Sequence, residues 1–126
     1  MKKSFLSTQA KEFRKKYNLK SDASRPTRAY QQRLIVEEFK EFIEAEGFLF
    51  MHGKNHQEHA LKELADLVYV CYQYATNMGW FLDEALDRVH QSNLSKLDEE
   101  GNPIYREDGK VLKGPNYKPP TLEDLF

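Results

Sequence analysis

The sequence predicts an all-α bundle of four to five helices with a short C-terminal β-hairpin or extended arm. Three observations lead there. Apolar residues recur at helical spacing through four successive segments between residues 4 and 94. One of these segments, ALKELADLVYVCYQYA, is apolar nearly all the way round. Beyond Leu97 the chain becomes polar and rich in Gly and Pro, with strand character only around an Asp108-Gly109 turn.

Residues 4–17 form the first predicted helix, with Phe5, Leu6, Phe13 and Tyr17 as its apolar members. NLKSDASRP breaks it, and Pro26 opens the next, with Ser24 or Asp22 available as a cap. That second helix runs from about Thr27 to Glu46 on a stripe of Leu34, Ile35, Phe39, Phe42 and Ile43, and Gly47 is its expected stop. Phe48, Leu49, Phe50 and Met51 follow as a loop too apolar to stay bare. The third helix spans about Gln57 to Met78 and ends at Gly79. Its all-round apolar half must be buried on most sides, which in so small a chain implies a subunit interface. Phe81 to Leu94 makes a shorter fourth helix. Ile104–Arg106 and Lys110–Leu112 are set to pair across Asp108-Gly109, and the tail with Pro115, Pro119 and Pro120 should be extended. The expected organisation is a helical catalytic part over residues 1–97, with 98–126 as a hairpin and arm of the same domain.

With 126 residues there is room for one core. Lys and Arg total 19 against 20 Asp and Glu, a net charge of -1 that argues against a generic nucleic-acid binder. No run approaches the length of a membrane span or a signal peptide, so no membrane partner is expected. The lone Cys71 excludes an internal disulfide and fits a reducing cytoplasm.

Chemistry concentrates in two acidic clusters: Glu37, Glu38 and Glu41 on the second helix, Glu63 and Asp66 on the third. Residues three apart share a helix face. Glu38 with Glu41, and Glu63 with Asp66, therefore each present two carboxylates, and a helical hairpin would bring the pairs together. Both lie among apolar residues, where converging carboxylates would repel and lose hydration. A hard divalent cation removes that penalty, and Mg²⁺ characteristically takes carboxylates together with substrate phosphates. The plainer alternative is a solvated acidic face with pairs such as Arg33–Glu37 and Glu58–Lys62, in a non-catalytic helical oligomerisation or regulatory protein. The absence of a Glu-x-x-His pair favours Mg²⁺, with Mn²⁺ as substitute, over iron. His52, His56 and His59 lack a cysteine companion and read as loop and helix-start residues.

Val36-Glu37-Glu38-Phe39-Lys40-Glu41 followed by Glu63-Leu64-Ala65-Asp66 resembles the EExxE…ExxD signature of the MazG-like all-α NTP pyrophosphohydrolases, in their phosphoribosyl-ATP pyrophosphohydrolase-like branch. Asn93-Leu94-Ser95-Lys96 is similar to the family's Asn-x-x-Lys segment, and Gly109 to Tyr117 to a tail of that branch. The resemblance implies Mg²⁺-dependent conversion of (d)NTPs to the monophosphate and pyrophosphate, in nucleotide pool control or sanitation. It implies Glu38, Glu41, Glu63 and Asp66 as metal ligands, and Glu37 as a residue that orients the attacking water or helps hold a further cation. Asn93 and Lys96 would contact phosphate; Arg33 and Lys113 are further candidates. It also implies a homodimer or homotetramer. Phosphoribosyl-ATP and an alarmone stand as alternative substrates. Phe13 and Tyr17 are either core residues or a stacking platform for a nucleobase.

Overall fold

A computed structural model describes residues 5–126, and Phe5 without its side chain. Residue 4 and the Phe5 side chain, both counted in the first predicted helix, lie outside what is described. Among the described residues there are four α-helices, α1 (Phe5–Lys16), α2 (Arg25–His52), α3 (Gln57–Met78) and α4 (Leu82–Leu94), and no sheet. The all-α expectation holds. No helix among them is long and apolar enough to cross a membrane. The chain divides into two compact units, Met1–Trp80 and Phe81–Phe126.

In the first unit α2 and α3 form an antiparallel hairpin, and α1 packs on α3. Gln31 of α2 bonds the Gln73 carbonyl of α3, while ten residues further along α2 Glu41 meets Glu63, ten residues back along α3. Gly47 does not end α2, contrary to expectation. One interior glycine costs about 1 kcal/mol against alanine, and the apolar residues after it carry the helix on to Gly53. There φ is +82° and the amide bonds the Leu49 carbonyl. Phe48 to Met51 are thus helical. Asn18, at φ +56°, closes α1, with the Leu19 amide reaching back to the Arg14 carbonyl. Ser24 sits at the α2 N-cap without a side-chain cap bond; Asp22 instead takes the Ser24 amide (2.9 Å) and the Thr27 hydroxyl (2.6 Å). Gly79 adopts the left-handed conformation that ends α3.

The interior is unlike the expected apolar stripes. Buried apolar side chains among the described residues are Ala10, Ala45, Ala60, Ala75 and Tyr72. On α1 the buried face is Ser7, Ala10 and Arg14, whereas Leu6, and Tyr17 just past its end, are exposed. Small residues let the helices approach closely, and polar side chains lock them. Arg14 donates to Gln73 Oε1 (3.4 Å), Asn77 Oδ1 (3.0 Å) and the Lys20 carbonyl (3.2 Å). Asn77 also accepts from the Asp22 amide and donates to the Asp22 carbonyl, both at 2.8 Å. Burial lowers the pKa of Arg14, a cost carried by these neutral acceptors.

In the second unit the tail runs back along α4. The Gly114 amide bonds the Lys96 carbonyl, Ser92 Oγ the Lys118 carbonyl (2.7 Å), and Arg88 binds Asp124 (2.6 and 3.0 Å) and the Thr121 carbonyl (2.9 Å). The Phe81 amide finally meets the Leu125 carbonyl. The expected hairpin is not formed. Its strands reduce to one antiparallel bridge, Tyr105 to Val111. The Gly109 amide closes a turn on the Arg106 carbonyl with Gly109 at φ +90°, and so short an isolated pairing has no sheet to support it. Gly114 is required by close approach: a Cβ there would stand 2.3 Å from the Leu97 carbonyl oxygen. Gly114→Ala is expected to cost about 1–3 kcal/mol and to loosen the tail, seen as faster amide exchange over residues 112–125. Unchanged exchange would contradict the contact.

Candidate metal centre

Glu38 and Glu41 stand one turn apart on α2, and the antiparallel register sets Glu63 of α3 opposite. The three each offer a carboxylate oxygen within 4.8 Å of the others. Glu63 is buried, Glu38 half-buried and Glu41 exposed at the rim. Glu38 Oε2 and Glu63 Oε2 are both buried without a hydrogen-bond partner in the protein. A buried carboxylate oxygen with no donor is costly, and two beside a third carboxylate compound the cost by repulsion. Hydrogen bonding to Glu63, then to Glu38, and the repulsion of those charges push the Glu41 carboxyl up to about 7. An all-oxygen donor set of this kind, lacking histidine or thiolate, fits a hard divalent cation.

The four acidic residues expected as ligands are not all brought together. Asp66, one turn beyond Glu63, is half-buried and bonded by Lys62 Nζ at 2.7 Å. Lys62 also approaches Glu63 Oε1 at 3.3 Å, and His59 Nδ1 stands 3.9 Å from the same oxygen. Lys62 therefore faces Asp66 and Glu63 rather than forming the expected pair with Glu58; the bond to Asp66 chiefly raises its pKa to about 12. Asp66 and Glu58 each lie four residues from Lys62, so spacing offered both pairs alike. Glu37 is exposed, and the Arg33 guanidinium lies 5.8 Å from the Tyr30 ring centre. Asn93 and Lys96 belong to the second unit, at the end of α4 and just beyond it. Lys113 sits there too, its ammonium 4.9 Å from the Tyr117 ring centre. His52 and His56 stack with Phe48, at 5.9 and 6.1 Å.

The raised Glu41 pKa carries a stability consequence. A carboxyl that holds its proton more tightly when folded, at about 7 against 4.5, favours the fold below pH 4.5. That contribution is lost as pH rises through about 7. In chelator, the melting temperature of the wild-type protein relative to Glu41→Gln is expected to fall between about pH 4.5 and 7. Parallel melting curves for the two proteins would show that the three carboxylates do not share a proton.

A family model described as phosphoribosyl-ATP pyrophosphohydrolase matches residues 5–93, which include α1 to α3 and nearly all of α4. No curated protein matches the chain.

Proposed function

Given that the chain belongs to the phosphoribosyl-ATP pyrophosphohydrolase family, we propose that it hydrolyses (d)NTPs to the (d)NMP and pyrophosphate with Mg²⁺. The family lies within the MazG-like all-α NTP pyrophosphohydrolases, and its chemistry makes the protein a nucleotide pyrophosphohydrolase, a hydrolase of phosphoric anhydrides. The reading of a non-catalytic oligomerisation protein is thereby set aside. The observation that carries the metal assignment is the pair of buried, unpartnered oxygens on Glu38 and Glu63, beside Glu41.

In this mechanism Glu38, Glu41 and Glu63 would hold the cation, with Asp66, now bonded by Lys62, as a fourth ligand. When bound, Mg²⁺ neutralises phosphate charge, polarises the phosphoryl group under attack and acidifies water (Mn²⁺ would substitute). The chain's residues do the rest. Glu37 orients the attacking water or helps hold a further cation, on the match to the family's signature. The Glu41 carboxyl, with its pKa raised to about 7, would have to lose its proton to serve as a ligand, so cation affinity should rise through that pH. Asn93, Lys96, Arg33 and Lys113 are the proposed phosphate contacts; a lysine would offset charge on the leaving pyrophosphate. Water adds to phosphorus, the anhydride oxygen departs with pyrophosphate, and one proton is released to solvent.

The exposed surface supports a homo-oligomer, dimer or tetramer. Val36, Phe39, Ile43 and Phe50 form an exposed apolar stripe on α2, and Leu61, Leu64 and Val68 one on α3. Soluble monomers rarely leave such runs in water. A cytoplasmic setting accords with the single cysteine.

The assay is pyrophosphate release from each dNTP and NTP with Mg²⁺. Turnover of one or more is expected; none with any nucleotide would refute the proposal. The matched family's own description favours a second substrate, phosphoribosyl-ATP, tested in the same assay. The sanitation role requires faster turnover of a dNTP than of that compound.

A further inference from the structure

We propose that the open cavity bordered by α1, α2 and α3 receives the nucleobase of the nucleotide, an inference that rests on the hydrolase reading above. The cavity measures about 800 Å³ and lies wholly within the first unit. Phe13, Tyr17, Tyr30, Leu34 and Tyr69 give it an apolar, largely aromatic lining. Such rings accept the flat face of any base. Phe13 is set edge-on to Tyr69 (5.6 Å between centres) and tilted against Tyr17 (4.6 Å), so part of the aromatic wall is already ordered.

The cavity also has a polar end. Gln31 lines it and is only 7% exposed. Its Nε2 donates to the Gln73 backbone carbonyl at 3.4 Å. A carbonyl can only accept, so it is the Nε2 end of the amide that faces Gln73, and Oε1 is left as an acceptor. Oε1 is buried with no hydrogen-bond partner in the protein. Leaving it so costs about 1–3 kcal/mol, and a ring N–H or exocyclic amine supplies the missing donor after a small side-chain turn. Arg14 and Asp22 line the cavity too and share Asn77 Oδ1 as an acceptor, so further polar groups stand in its wall.

Position makes the cavity part of the same site. Gln31, Leu34, Glu38 and Glu41 follow one another at helical spacing on α2. The step from Gln31 to Glu38 is two turns, about 10 Å. Phosphates held at the carboxylates would place a base, carried on its ribose, at the cavity.

The test compares Tyr30→Ala and Gln31→Met with wild type on every nucleotide that wild type hydrolyses. Tripolyphosphate with Mg²⁺, which lacks a nucleoside, serves as competing inhibitor. Each variant is expected to raise KM about tenfold, with kcat and the inhibition constant of tripolyphosphate unchanged. Gln31→Met should in addition narrow the differences between bases. Tyr30 is exposed, so Tyr30→Ala decides the matter should Gln31→Met fail to fold. An unchanged KM, or a KM and tripolyphosphate constant that rise together, would overturn the assignment. Wild type inert toward every nucleotide would instead remove the hydrolase reading beneath it.

Discussion

Glu63→Gln, Glu41→Gln and Asp66→Asn are each expected to lower pyrophosphate release by at least about a hundredfold. Even groups that merely support a metal ligand are worth 10–100-fold, and a carboxylate that touches the cation should exceed them. Each substitution keeps volume and removes charge, so the helices should stay folded. In chelator above about pH 7 the two glutamine variants should melt no lower than wild type, because Glu38, Glu41 and Glu63 repel one another there. Asp66→Asn differs: it deprives Lys62 of its 2.7 Å partner, though that exposed pair is worth little. Circular dichroism and a magnesium titration separate lost binding from lost fold. Wild-type rates in all three would dismiss the carboxylates as a metal centre.

Phe50→Glu and Leu61→Glu should break the proposed homo-oligomer. Phe50 is 85% exposed, Met51 73% and Leu61 67%. Leu61, with Leu64 and Val68, also borders an apolar groove of about 380 Å³ between α1 and α3. On a monomer, replacing so exposed an apolar residue with a glutamate would be nearly neutral. At an interface it buries an unpaired charge, about 3 kcal/mol or more, and weakens association at least about a hundredfold. Light scattering after size exclusion should show smaller particles, with a melting temperature that no longer rises with concentration. An unchanged mass in both variants would mean the stripes are covered some other way.

Much of the fold was legible in the sequence because it depends on local chemistry. The bounds of α3 follow from an apolar run closed by Gly79, and the carboxylates are spaced by helix geometry alone. Gly47 misled because a glycine stops a helix only where the next residues cannot extend it; Gly53, six residues on, was the real terminator. The DG turn formed, but strands need partners that this chain does not provide. Hidden altogether was what depends on distant pairs. Nothing in FLSTQAKEFRKK says that Arg14, among the polar residues of α1, faces inward to Gln73 and Asn77, or that Tyr17 just after α1, Tyr30 of α2 and Tyr69 of α3 border one cavity. Lys62 had two acidic neighbours at equal spacing, Glu58 and Asp66, and periodicity could not choose between them.

The Arg14, Gln73 and Asn77 contacts act at a distance on the carboxylates. Alanines in helix contacts would tolerate sliding, since one methyl resembles the next. Directional bonds do not: a slip of one residue moves a helix by about 1.5 Å and turns each side chain away from its mate. Gln31 meets the Gln73 backbone ten residues from where Glu41 meets Glu63, so both meetings are set by one alignment. The polar lock thus works as the vernier of the acidic centre, and mutations that loosen it would defocus a site they never touch.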